Sequence, residues 1–104
     1  MAGVGKLLKQ AQKMQKQVES AQAALEGEIL DVTCGGEAIS LKINGQGVFQ
    51  SIVLDPEFLK EDKALIEETL LEALREASQK AKEFGEMAMN KATGGFDFPG
   101  FPGL

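Results

Sequence analysis

The sequence predicts an α+β fold: a helix, a three-stranded antiparallel meander, a second long helix and a flexible tail. Three observations carry this reading. Leu7, Ala11, Met14, Val18, Ala21 and Leu25 recur at intervals of 4, 3, 4, 3 and 4, the spacing of one helix face. Period-two alternation runs through the segment from Glu28 to Leu54 between turn signals. A second 3–4 spacing joins Ile66, Leu70, Ala73, Ala77, Ala81, Phe84 and Ala88.

The first helix is expected from about Val4 to Leu25, because Lys and Gln fill its outer positions and no Gly or Pro follows Gly5 until Gly27. Its seam includes the small residues Ala11 and Ala21, which let another helix come close. Strands follow at Glu28–Thr33, Glu37–Ile43 and Val48–Leu54. In the second, Ile39, Leu41 and Ile43 point one way and Ala38, Ser40 and Lys42 the other. In the third, Phe49 and Val53 are placed opposite Val48, Ile52 and Leu54. Asn44-Gly45 is a signal for a type I′ hairpin, with Gly47 extending the turn or marking a bulge. Asp55-Pro56 ends the sheet, Pro56 to Leu59 form a helical turn, and Asp62 is the expected N-cap of the second helix. Residues 1–92 thus make a single α-β-β-β-α domain. Residues 93–104 make a tail in which Gly and Pro fill six of twelve positions. Both helices are longer than the strands, so part of each must protrude. A protruding helix with a regular apolar seam (Leu7, Ala11, Met14, Val18) calls for a partner, most simply a second copy.

Composition excludes several functions. A chain of 104 residues with no His and one Cys has no Ser-His-Asp or Cys-His arrangement, no His-built zinc site and no disulfide framework. Gly35-Gly36 and Gly45/Gly47 lack the Lys-Ser/Thr of a phosphate loop. The paired carboxylates Asp55/Glu57 and Glu61/Asp62 coincide with turn and helix-start signals. The expectation is therefore a non-enzyme with no catalytic residue, no cofactor, no metal and no small-molecule substrate. The N-terminal segment lacks the apolar core of a signal peptide, and no stretch is apolar enough to span a membrane. The reading is a cytoplasmic protein that does not engage membranes.

The net charge of −5 argues against a nonspecific nucleic-acid binder, which should be basic. Its distribution reverses the argument. Residues 1–18 carry Lys6, Lys9, Lys13 and Lys16 and no acid, which is +4; the rest carries seven basic and sixteen acidic residues, which is −9. The lysines, spaced 3, 4 and 3, form a stripe opposite the apolar seam. Between them lie Gln10, Gln12, Gln15 and Gln17, neutral groups able to hydrogen-bond phosphate or base edges. A solubilising face normally mixes Glu with Lys. A one-signed Lys/Gln face suits a polyanion.

The chain resembles the YbaB/EbfC family of bacterial nucleoid-associated DNA-binding proteins. The likeness rests on Leu8-Lys9-Gln10-Ala11-Gln12-Lys13-Met14-Gln15, Ile43-Asn44-Gly45, Leu54-Asp55-Pro56, Phe58-Leu59 and Asp62-Lys63, with the Met87/Met89 region and the Pro-Gly tail. It implies a tweezer-like homodimer whose protruding helices contact DNA and affect nucleoid organisation or gene expression. Mapped by resemblance, the DNA-facing residues are Lys6, Lys9, Lys13 and Lys16, with Lys80, Lys82 and Lys91 secondary. The second helix departs from that pattern in its acidity: Glu67, Glu68, Glu72, Glu76, Glu83 and Glu86. The alternative reading is a protein–protein adaptor that uses the heptad helix and the tail residues Phe96, Phe98 and Phe101.

Overall fold

The computed structural model describes residues 2–93; the tail expectation lies outside the described residues from residue 94 on. The elements are α1 (Ala2–Glu26), β1 (Ile29–Cys34), β2 (Ile39–Asn44), β3 (Phe49–Leu54), a 3-10 turn (Phe58–Lys60) and α2 (Lys63–Ala92). The three strands form one antiparallel sheet in the order β1-β2-β3. The expected α+β meander is present, and each strand begins one or two residues later than expected.

Central strand β2 supplies the core. Ile39, Leu41 and Ile43 are essentially inaccessible to solvent, and their partners across the ladder are Cys34, Val32 and Leu30 on β1. Helix α2 covers this face over β1 and β2. It does so through Ala73, Ala77 and Ala81, all buried. Alanine at intervals of four lets the helix axis approach the sheet closely, while Ile66, Leu70 and Phe58 fill the margins. The opposite face of the sheet is polar over most of its area, Asp31 pairing with Lys42 and Lys42 with Ser51, and Thr33 with Ser40, while Val53 beside Ser40 and Ile29 at the start of β1 are exposed apolar residues on it. Neither helix needs to cover it.

Helix α1 packs against α2 rather than across the sheet. Its seam becomes progressively enclosed: Leu7 and Ala11 are exposed, Met14, Val18 and Ala21 half-buried, Leu25 buried. The two helices run antiparallel. Leu25 lies beside Gly85, and one turn or two further along α2, Ala92 shares a groove with Gln17, Ser20 and Ala21 of α1. Helix α2 therefore ends abreast of the middle of α1, and the first fifteen or so residues of α1 project beyond it for roughly 22 Å. The principal extents of 71 × 25 × 15 Å agree with that projection.

The structure corrects the hairpin expectation. A type I′ turn centred on Asn44-Gly45 requires positive φ at both residues, and neither has it; Gly47 does, at +86°. Asn44 instead ends β2, Gly47 N–H donates to the Asn44 carbonyl at 3.0 Å, and the ladder closes with Asn44 N–H to Val48 O at 2.9 Å. This is a wider loop with a bulge glycine. The bulge between Lys42 and Ile43 shifts the register so that Phe49 pairs with Ile43. Phe49 consequently shares the face of Ile52 and Leu54, and not that of Val53 as simple alternation predicts.

Candidate nucleic-acid interface

The projecting half of α1 is positioned by one junction. The carbonyl of Leu25 accepts from Gly45 N–H at 2.9 Å, and Asn44 Nδ2 donates to the Glu26 carbonyl at 3.3 Å. The last turn of α1 is thus tied to the β2–β3 loop, and Gln46 Nε2 donates to Gln22 O at 2.9 Å one turn earlier. Anchored at this end, the helix carries its other end into solvent.

All four α1 lysines, Lys6, Lys9, Lys13 and Lys16, are exposed. At 100° per residue they fall on one stripe, with Val4, Leu7, Leu8 and Ala11 on the opposite side. Among the described residues the ion pairs are Lys42–Asp31 and Lys60–Glu57, and neither involves α1. Gln10, Gln12 and Gln17 are exposed between the lysines, while Gln15 Nε2 donates to Glu19 Oε1 at 3.4 Å. The arm is therefore a row of uncommitted ammonium donors with amides interleaved.

The candidates on α2 separate into three places. Lys91 joins Lys13 and Lys16 around a groove of about 530 Å³ at the junction of α1 with the end of α2, floored by Ala21, Ala24 and Ala92. Lys80 is elsewhere: its Nζ donates to the Asp31 carbonyl at 2.8 Å and clamps α2 to the edge of β1. Lys82 is exposed, and the nine-residue interval turns it half a revolution away from Lys91. The structure thus brings one of the three secondary lysines to the α1 stripe.

Glu19 lies beside Lys16 at the base of this arm, whereas most of the acidic side chains of α2 are set apart from it. Glu68, Glu72, Glu76 and Glu83 lie on the side of α2 away from Ala73, Ala77 and Ala81 and are exposed. They flank the sheet end of the molecule, whereas the lysines of residues 6–13 lie beyond the end of α2.

A second surface was not read from the sequence. Helix α2 sits over β1 and β2, leaving β3 uncovered, and Val48, Phe49, Ile52 and Val53 are 42–63% exposed. Lys80 and Thr69 mark the flank of α2 that faces β1: Lys80 reaches Asp31, and Thr69 lies beside Gly35. Helical geometry then turns Leu71 and Leu74, both exposed, toward β3. The signal available in the sequence was Leu71, an apolar residue outside the 3–4 stripe of α2.

Among the described residues no group of three or more His, Cys, Asp or Glu is placed to hold a metal ion. No helix among them is long and apolar enough to cross a membrane.

The family model for the YbaB/EbfC DNA-binding family matches residues 1–96. The chain belongs to that family. Relatives include a nucleoid-associated protein of Clostridium kluyveri, 41% identical over 95 residues, covering 90% of this chain and 83% of the relative. A nucleoid-associated protein of Ruminiclostridium cellulolyticum is 39% identical over 99 residues, covering 94% of this chain and 84% of the relative. Among solved structures, an uncharacterized protein of Helicobacter pylori superposes with a TM-score of 0.69 at 24% identity, over 88% of this chain and 95% of that one. That likeness establishes the helix, three-strand, helix fold. In this YbaB/EbfC member α1 is anchored at the β2–β3 loop, and its N-terminal half projects from there.

Proposed function

We propose that this chain is a dimeric, nucleoid-associated DNA-binding protein that holds DNA through the basic face of α1. The observation that carries the reading is the projecting, acid-free arm bearing Lys6, Lys9, Lys13 and Lys16, with Lys91 beside its base. Family membership and the bacterial relatives named nucleoid-associated proteins support the same reading. Ammonium groups neutralise phosphates and release condensed counterions, which supplies affinity without reading base sequence. No Arg lies in α1, and the bidentate Arg–guanine contact that dominates major-groove discrimination is unavailable there. The expected mode is phosphate-directed and weakly selective, suited to organising DNA over many sites.

The second copy, in this proposal, docks on the β3 side. Phe49 and Ile52 on the face of β3 toward α2, with Leu71 and Leu74 of α2, are exposed apolar side chains of the kind that mark a contact surface. The free edge of β3 offers unpaired backbone groups beside it. Pairing there leaves both α1 arms projecting and unobstructed, so that one duplex meets two basic stripes.

The test is fluorescence anisotropy of a labelled duplex titrated at several salt concentrations. A dimer that neutralises six or more phosphates should lose roughly a thousandfold in affinity between about 50 and 200 mM salt. Affinity independent of salt overturns the reading.

A further inference from the structure

The groove between α1 and the end of α2 differs in kind from the open stripe of the arm. Lys13, Lys16, Gln17 and Ser20 of α1 and Lys91 of α2 stand around its volume of about 530 Å³. Its ammoniums come from two helices and surround one recess, whereas Lys6 and Lys9 stand on the convex surface of a single helix. No carboxylate is among the described residues that line it. Glu19, the first acid of the chain, lines a neighbouring groove with Gln12, Gln15 and Lys16, and its carboxylate accepts from Gln15 Nε2. Gln17 and Ser20 add an amide and a hydroxyl, both exposed. The carbonyls that end a helix oppose an anion, but those of α2 are partly occupied. Met89 O accepts from the Thr93 amide at 3.0 Å and from its hydroxyl at 3.1 Å, and Asn90 O accepts from that hydroxyl at 3.3 Å.

We propose that this groove binds the polyphosphate group of a small ligand, a di- or triphosphate that is either free or borne by a nucleotide. A single exposed ion pair contributes little against solvent. Three ammoniums around one recess act together on a group that carries several negative charges within a few ångströms. A volume of this size falls within the roughly 300–1,000 Å³ common for small-molecule sites. No aromatic side chain is among the lining residues, so a base finds no stacking partner there, and the phosphates carry the recognition.

The site has a consequence for the arm. Lys13 and Lys16 belong both to this groove and to the DNA-facing stripe. A bound polyphosphate takes two ammoniums from that stripe, and DNA affinity falls as the ligand accumulates. This second step rests on the DNA reading of α1; binding of the polyphosphate does not.

Titration of the full-length chain with inorganic tripolyphosphate, without DNA and at constant ionic strength, tests the site. Amide NMR shifts should saturate and concentrate at residues 13–24 and 91–93, with β1 and β2 unmoved. Lys91→Gln should weaken binding about fivefold, and Lys82→Gln, on another side of the same helix, should leave it unchanged. Shifts that never saturate, or that spread along residues 6–16 and are indifferent to Lys91→Gln, overturn the proposal. ATP and adenosine separate the sources of affinity. ATP should bind as tripolyphosphate does and adenosine should not; binding of adenosine as tight as that of ATP overturns the assignment to phosphate. Anisotropy of a labelled duplex, again at constant ionic strength, reads the competition. Tripolyphosphate should release DNA from the unaltered chain at lower concentration than from Lys91→Gln. A chain that binds tripolyphosphate and keeps its duplex refutes the competition. A chain that binds tripolyphosphate but no duplex refutes the DNA reading and supports the groove.

Discussion

Gly45 is packed directly against Leu25. A Cβ at Gly45 would stand 2.8 Å from Leu25 Cδ2 and 2.9 Å from its carbonyl oxygen, the same oxygen that accepts from the Gly45 amide at 2.9 Å. The end of α1 and the β2–β3 loop therefore meet at backbone distance, and the direction of the arm is set there. Gly45→Ala inserts a methyl group where the nearest atoms include backbone. The expected cost is about 2 kcal/mol, read as a fall in melting temperature on the order of 10 °C. An unchanged melting temperature means that the junction does not fix the arm.

Asn44 serves the same junction from inside. It is 3% exposed, donates from Nδ2 to Glu26 O, and accepts at Oδ1 from the amides of Gln46 at 3.0 Å and Val48 at 2.9 Å. Asn44→Ala removes all three bonds and strands partly buried backbone groups. A loss of about 2–3 kcal/mol in chemical denaturation follows. Asn44→Asp keeps both acceptor bonds but lacks the donor, so it should fall between the alanine variant and the unaltered protein.

Ile52→Glu places a carboxylate in the uncovered apolar surface of β3 without disturbing Ile39, Leu41 or Ile43. Light scattering or sedimentation should report a monomer, with the circular dichroism of the folded chain retained. A variant that remains dimeric locates the second copy elsewhere. In the proposed dimer two arms act together, so its dissociation should also weaken DNA binding, as expected when a second binding event becomes independent of the first.

Lys80→Ala separates structural lysines from binding ones. Its ammonium is committed to the Asp31 carbonyl. Removal should lower stability by about 1 kcal/mol and leave the salt slope of DNA binding unchanged. By comparison, Lys13→Gln or Lys16→Gln should reduce that slope by about 1 for each phosphate left without its lysine.

The sequence carried the element order because each element repeats its signal many times. Six seam positions marked α1, three alternating residues marked β2, and seven stripe positions marked α2. What escaped it depended on single interactions between distant segments. Asn44-Gly45 reads as a two-residue turn, but Asn44 is consumed by bonds to Glu26, Gln46 and Val48, and Gly45 is required by Leu25 rather than by φ. Phe49 changed faces because one bulge resets strand alternation. Among the candidate lysines, charge patterning identified the α1 stripe, whose members depend only on helix geometry. It did not separate Lys80 from Lys91, because the first is fixed by β1 and the second by where α2 ends along α1. The apolar surface around Ile52 and Leu71 arises from which strands α2 covers, a property of packing and not of any one segment.

The most direct test of the account compares DNA affinity of the unaltered chain, Lys9→Glu/Lys13→Glu and the control Lys82→Glu at one low salt concentration. All three should fold and self-associate alike, since the altered side chains are exposed. Reversal of two charges on each arm should abolish detectable binding in the first variant, with the control within a few-fold of the unaltered protein. Retention of binding by Lys9→Glu/Lys13→Glu, with fold and assembly intact, would contradict the assignment of α1 as the DNA-contacting element.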